Sequence, residues 1–167
     1  SERWDSLHLL TPNWMTRLPG WCYTGSDPDG YLSSAELIQH LERYAASFQA
    51  PAIPHTTVLE IAAARGPACS RFRVATDTDT WHARHVVVAT GPHGRAHLPA
   101  GLSGVSGRLK LVTANSYRNP AALPPGGVLV VGASASGLQI ADELSGAGRD
   151  VTLAIGRHTR MPRRYRG

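Results

Sequence analysis

Cysteine is nearly absent: the 167 residues hold two, Cys22 and Cys69, far apart in the chain. They build no disulfide framework, zinc knuckle or Cys-x-x-Cys redox pair. Long apolar runs are missing too. None reaches the roughly 18 residues that span a bilayer, so no membrane partner is expected. No secretory leader pattern opens the chain, and the expected location is cytoplasmic. The first residue is not Met, a first sign of a piece of something longer. Glycine (17) and proline (12) are plentiful but aperiodic, which excludes collagen-like and low-complexity classes. With 42% hydrophobic and 17% charged residues, the chain is able to bury a core, and wholesale disorder is excluded.

Acid is missing from one place in particular. Arg157, Arg160, Arg163, Arg164 and Arg166 crowd the C-terminal end with no Asp or Glu among them. The net charge of +5 resides there, and the rest of the chain is neutral. This argues against a nucleic-acid-binding domain with a basic face along its whole length. Binding of nucleic acid through the Arg-rich end alone stays as an alternative, without the aromatic interleaving that would support it.

Residues 1–32, with Trp4, Trp14 and Trp21 among Pro, Gly and polar residues, show no clean period and read as loops. Ser33 followed by Glu36 fits a capping box. Leu37, Leu41, Tyr44, Ala45 and Phe48 then share one helical face, read as core, and Pro51 ends the helix. Thr57–Ile61 and Arg71–Thr76 read as strands. Val86–Val88, in His85-Val-Val-Val-Ala-Thr-Gly91, reads as a strand buried on both faces. The Gly/Pro-rich stretch 92–127, in which Leu109–Val112 could be a short strand, marks a boundary between units. Val128–Val131 is a further buried strand, Leu138–Leu144 a helix and Val151–Ile155 a strand, together one parallel βαβ unit.

Between the first strand and the helix of that unit stands Gly132-Ala-Ser-Ala-Ser-Gly137. In the dinucleotide fingerprint the first glycine permits the tight turn, the second admits the pyrophosphate, and the third lets helix and strand pack closely. Gly132 and Gly137 fill the first and third places, while Ser134 stands at the second, where its hydroxyl could donate to a phosphate. The first N–H groups of the helix, Ser136 among them, lack intrahelical acceptors and favour an anion. The competing reading is a purely structural glycine turn. Past the second strand, where an NAD site carries Asp or Glu, the chain reads Gly156-Arg157-His158. Arg157 is suited to a bidentate contact with a 2′-phosphate, which predicts NADPH over NADH. The competing reading there is a solvated basic loop.

His82/His85 and His93/His97 are the close histidine pairs, and no Cys or carboxylate cluster completes a ligand set, so no metal site is expected.

Val128–Leu144 resembles the NADPH signature of flavin-dependent monooxygenases. His85–Gly91 resembles the Ala-Thr-Gly strand of the same two-dinucleotide-domain flavoproteins, and Trp4–Trp14 is similar to a segment these enzymes carry soon after their first FAD motif. The matches run over nearly the whole chain in family order. The Gly-x-Gly-x-x-Gly turn of the FAD site is absent, and Thr113 stands where the family's His-x-x-x-Tyr signature has its His, with Tyr117 present. The missing Cys-x-x-Cys pair argues against the disulfide-reductase branch.

The resemblance implies an α/β, Rossmann-like FAD/NAD(P)-binding fold, with a β-meander from the FAD domain and one βαβ unit of the NADPH domain. Residues 1–91 would be the remainder of the FAD-binding domain, 92–125 a linker, and 126–167 the first half of the NADPH-binding domain. It implies part of an enzyme that uses NADPH and FAD to oxygenate a small-molecule substrate through a flavin peroxide. Asn13 would lie near the flavin ring as the candidate catalytic side chain, and Thr90 and Gly91 near the FAD–NADPH junction. A non-catalytic NADP-binding or interaction module is the alternative.

Overall fold

A computed structural model describes residues 3–64, 70–91, 96, 98, 102, 107 and 109–157. The chain divides into two compact units, one made of Ser1–Tyr44 with His93–Gly167, the other of Ala45–Pro92.

In the first unit a 3-10 turn at Asn13–Met15 leads into a two-stranded antiparallel hairpin, β1 (Arg17–Leu18) and β2 (Trp21–Cys22). Gly20, at φ +68°, supplies the positive torsion the hairpin turn needs. Helix α1 (Ser34–Ser47) starts on the capping box. The Ser33 backbone N–H donates to Glu36 Oε2 at 2.8 Å, its hydroxyl donates to the same oxygen at 2.7 Å, and the Glu36 N–H donates to Ser33 Oγ at 3.3 Å. The hydrogen bonds from Ser33 hold the Glu36 carboxyl below its ordinary range.

The expected face turns inward in part, with Leu37, Tyr44 and Ala45 half-buried. Leu41 and Phe48 are exposed, while His40 is buried. The stripe rotates because the Trp21 ring packs at 6.1 Å from both the His40 and Tyr44 rings. Apolar identity alone did not reveal which side an aromatic neighbour would occupy.

Strand β6 (Val128–Val131), helix α2 (Ala135–Gly146) and strand β7 (Val151–Ala154) form the βαβ unit, with β6 and β7 parallel and Val128 opposite Val151. The sequence reads β6 as a buried strand; it is half-buried on one face only, with Val128 and Val130 facing inward and Leu129 and Val131 exposed. Among the described residues the sheet has two strands, so burial alternates with the side-chain period of two.

The core is Trp4, Tyr117 and Leu144, with Leu7, Leu123, Ile140 and Val151 among the side chains packed around it. Polar ties hold the early segment to the late one. Gln139 Oε1 accepts from the His8 backbone N–H at 3.2 Å while Gln139 Nε2 donates to the His8 carbonyl at 3.0 Å. The Asp5 N–H donates to the Arg118 carbonyl at 2.9 Å, and Asn119 Nδ2 donates to Asp5 Oδ2 at 2.7 Å. The stretch Leu109–Val112 forms no strand.

The second unit holds an antiparallel meander of β3 (Val58–Ala63), β4 (Phe72–Thr76) and β5 (Thr80–Ala83). Arg73 Nη2 and Glu60 Oε2 pair across it at 2.6 Å. Both side chains are well exposed, so the pair adds less than about 1 kcal/mol. The expected strand at Val86–Val88 does not form: Val87 and Val88 are 87% and 69% exposed. A strand of this composition is stable only between two neighbours, and none among the described residues pairs with it.

Candidate functional site

The turn from β6 into α2 satisfies the steric demands of a phosphate-binding loop. Gly132 sits at φ +108°, a torsion that L side chains rarely adopt. Its N–H donates to the Ala154 carbonyl at 3.0 Å, which ties the turn to the end of β7. A Cβ on Gly137 would collide with the Gly132 carbonyl, so the helix begins directly against the strand end. Ser134 is the N-cap and its hydroxyl caps nothing. The helical ladder opens with the Leu138 N–H donating to the Ser134 carbonyl at 3.0 Å. The N–H groups of Ala135, Ser136 and Gly137 precede that ladder and carry the positive end of the helix dipole. Ser134 is exposed and Ser136 half-buried. These features fit a diphosphate, whose oxygens would supply the acceptors the first turn lacks.

Arg157 is exposed, three residues beyond the end of β7. No carboxylate of the described residues pairs with it. The other four arginines of that end lie outside the described residues, as do His93 and His97. Among the described residues no three His, Cys, Asp or Glu stand together as a metal site, and no helix is long and apolar enough to cross a membrane.

Asn13 is buried at the 3-10 turn. Its Nδ2 donates to the Asp27 carbonyl at 2.8 Å, its N–H donates to the Gly30 carbonyl at 2.9 Å, and Oδ1 has no partner. Thr90 and Gly91 belong to the other unit, both exposed, with Gly91 at φ +68°.

Tyr117, one half of a sequence motif, has a structural role that the motif does not announce. Its phenol is buried in the core and donates to Glu143 Oε2 at 2.8 Å, which ties the 113–119 segment to α2. Burial, and then the bond to Glu143, push the phenol well above its ordinary value. A folded-state value above the unfolded one means that this contribution to stability is whole below about pH 10 and fades as the pH climbs past it. Stability is therefore expected to decline more steeply above pH 10 in the native chain than in Tyr117→Phe. Denaturant melts across that range check it, and parallel alkaline declines would refute it.

A family model described as pyridine nucleotide-disulphide oxidoreductase matches residues 22–166. The chain belongs to this family. It is 40% identical, over 93% of its length and 43% of the relative's, to an uncharacterized CzcO-like oxidoreductase of Geobacillus kaustophilus. An uncharacterized oxidoreductase, CzcO, of Bacillus subtilis is 31% identical over 86% of this chain and 40% of that protein. Among solved structures, a mutant flavin monooxygenase from Stenotrophomonas maltophilia superposes with a TM-score of 0.78 at 29% identity, covering 94% of this chain and 46% of that one. A bacillithiol disulfide reductase from Staphylococcus aureus shares the fold at a TM-score of 0.73 and 14% identity. The fold is thus the Rossmann-like FAD/NAD(P)-binding fold of an oxidoreductase family, and the chain spans less than half the length of the relatives it matches.

Proposed function

We propose that the chain is part of an NADPH-dependent flavoprotein monooxygenase acting on a small molecule, and that its β6–α2 turn holds the NADPH diphosphate. The observation that carries the reading is the pairing of a positive-φ Gly132 with a Gly137 that no side chain fits, at the start of a helix whose N-cap hydroxyl is unused. The likeness to flavin monooxygenases supports the reaction class. The backbone N–H groups of Ala135, Ser136 and Gly137 bind the diphosphate, and the Ser134 hydroxyl donates where a second glycine would leave room. Arg157 grips the 2′-phosphate. Asn13, whose buried amide oxygen has no partner, is the side chain that would lie near the flavin ring, and Thr90 and Gly91 would belong to the FAD–NADPH junction. On this reading residues 1–91 are the remainder of the FAD domain, 92–125 a linker and 126–167 the first half of the NADPH domain. The flavin, when bound, supplies the electron transfer and oxygen chemistry, while the protein supplies position, electrostatics and exclusion of water.

Arg157→Ala tests the nucleotide choice. NADPH binding is expected to weaken by about tenfold or more, the size of a lost charge-assisted contact, and NADH binding to change by less than about twofold. Titration of both nucleotides reads the difference. Equal losses would sink the assignment of Arg157, and unchanged NADPH binding would support a solvated loop.

A further inference from the structure

One side chain of α2 reaches back from the dinucleotide turn to the early segment. Gln139 stands two residues past Gly137, in the second turn of the helix. Its amide meets both backbone groups of His8: Oε1 accepts the N–H at 3.2 Å and Nε2 donates to the carbonyl at 3.0 Å. A paired strand residue is held in the same two-way manner. His8 is also the first rung of a longer ladder. It bridges Ser33 in antiparallel sense. The Leu9 N–H donates to the Leu32 carbonyl at 2.8 Å, and the Ser34 N–H to the Leu7 carbonyl at 2.9 Å. Further along, the Asn13 N–H donates to the Gly30 carbonyl and the Trp14 N–H to the Pro28 carbonyl, both at 2.9 Å. Asn13 Nδ2 donates to the Asp27 carbonyl at 2.8 Å. Residues 7–14 thus run as a strut from α2 to the buried Asn13, within one compact unit. The core also joins α2 to the early segment, through Leu144 with Trp4. That contact lies about 7 Å farther down the helix axis than Gln139.

We propose that Gln139 is a positioning residue that ties the Asn13 turn to the occupancy of the β6–α2 turn. The inference rests on the nucleotide reading of that turn. A diphosphate on the N–H groups of Ala135, Ser136 and Gly137 holds the first turn of α2 in place, and Gln139 leaves the next one. A segment that opens only when α2 shifts is stabilised by whatever ligand holds α2, in proportion to how far that ligand exceeds its Kd. With the clamp closed, residues 8–14 are such a segment. Without it they open on their own. The clamp uses only the backbone of His8, so the side chain there is immaterial to it. Asn13 is the side chain that the proposed function sets near the flavin ring, so nucleotide bound at one site firms the other.

Amide hydrogen exchange, read residue by residue with NADPH about a hundredfold above its Kd, is the test. In the native chain exchange at Leu9, Asn13 and Trp14 is expected to slow at least about tenfold. Gln139→Leu is expected to bind NADPH within about threefold of the native chain and to lose that slowing at all three amides. The Asp5 amide, bonded to the Arg118 carbonyl beside the core, is expected to keep its native response. Gln139→Glu, which keeps an acceptor and loses the donor, is the second variant should Gln139→Leu not fold, and the same losses are expected of it. His8→Ala is expected to respond as the native chain does. Bound NADPH without slowing at the three amides, slowing that survives Gln139→Leu, or slowing abolished by His8→Ala would each overturn the proposal. A loss that extends to Asp5 would overturn it too, as general loosening. A native chain that binds no NADPH would overturn the reading of the turn itself, and this inference with it.

Discussion

Gly137→Ala is expected to lower stability by about 1–3 kcal/mol and to weaken NADPH binding more than about tenfold. The added methyl meets the Gly132 carbonyl and comes within 3.7 Å of Val130 Cγ1. The first of these is backbone, held in turn by the Gly132 N–H bond to Ala154, so no side-chain rotation relieves the clash. Either α2 moves away from β6 or Gly132 leaves its torsion, and both changes re-aim the N–H groups offered to the diphosphate. Gly146→Ala, at a site with nothing within 4 Å of the new Cβ, is the control and is expected to change neither property. Thermal melts and nucleotide titrations of the two variants decide it. A Gly137→Ala chain that melts and binds like the native one would mean that helix and strand are not in contact there.

Leu144→Ala is the substitution with the largest expected cost, about 2–5 kcal/mol. Leu144 is 1% exposed and shares the core with Trp4 and Tyr117. Its removal leaves a void between parts of the chain distant in sequence, in a fold whose whole margin is on the order of 5–15 kcal/mol. Leu129→Ala deletes the same atoms at a side chain 62% exposed and is expected to stay within about 0.5 kcal/mol of the native chain. Urea midpoints compare the two. Equal shifts would show that Leu144 is not the centre of the core.

The elements that were legible are those whose cause is local. The Ser33/Glu36 box starts α1 because three hydrogen bonds close within four residues, and the Gly132–Gly137 spacing marks the strand-to-helix turn because each glycine answers a separate steric demand. What depended on distant partners was not legible. Val86–Val88 has the composition of a central strand but lacks a strand beside it among the described residues, and composition says nothing about who the neighbours are. The inward face of α1 follows from Trp21, a residue in a stretch without period. The partnering of Tyr117 with Glu143 and of His8 with Gln139 joins residues 26 and 131 positions apart, beyond the reach of any window. Of the candidate site, the glycine turn and Arg157 could be named from spacing.

The core also fixes an order of events during synthesis. Trp4 is made before Tyr117 and Leu144, the buried side chains with which it forms the core. A nascent chain therefore leaves Trp4 without these partners until they are made, and the Gln139 clamp on His8 closes only after 131 further residues. Contacts this distant slow folding and leave apolar surface open while it proceeds.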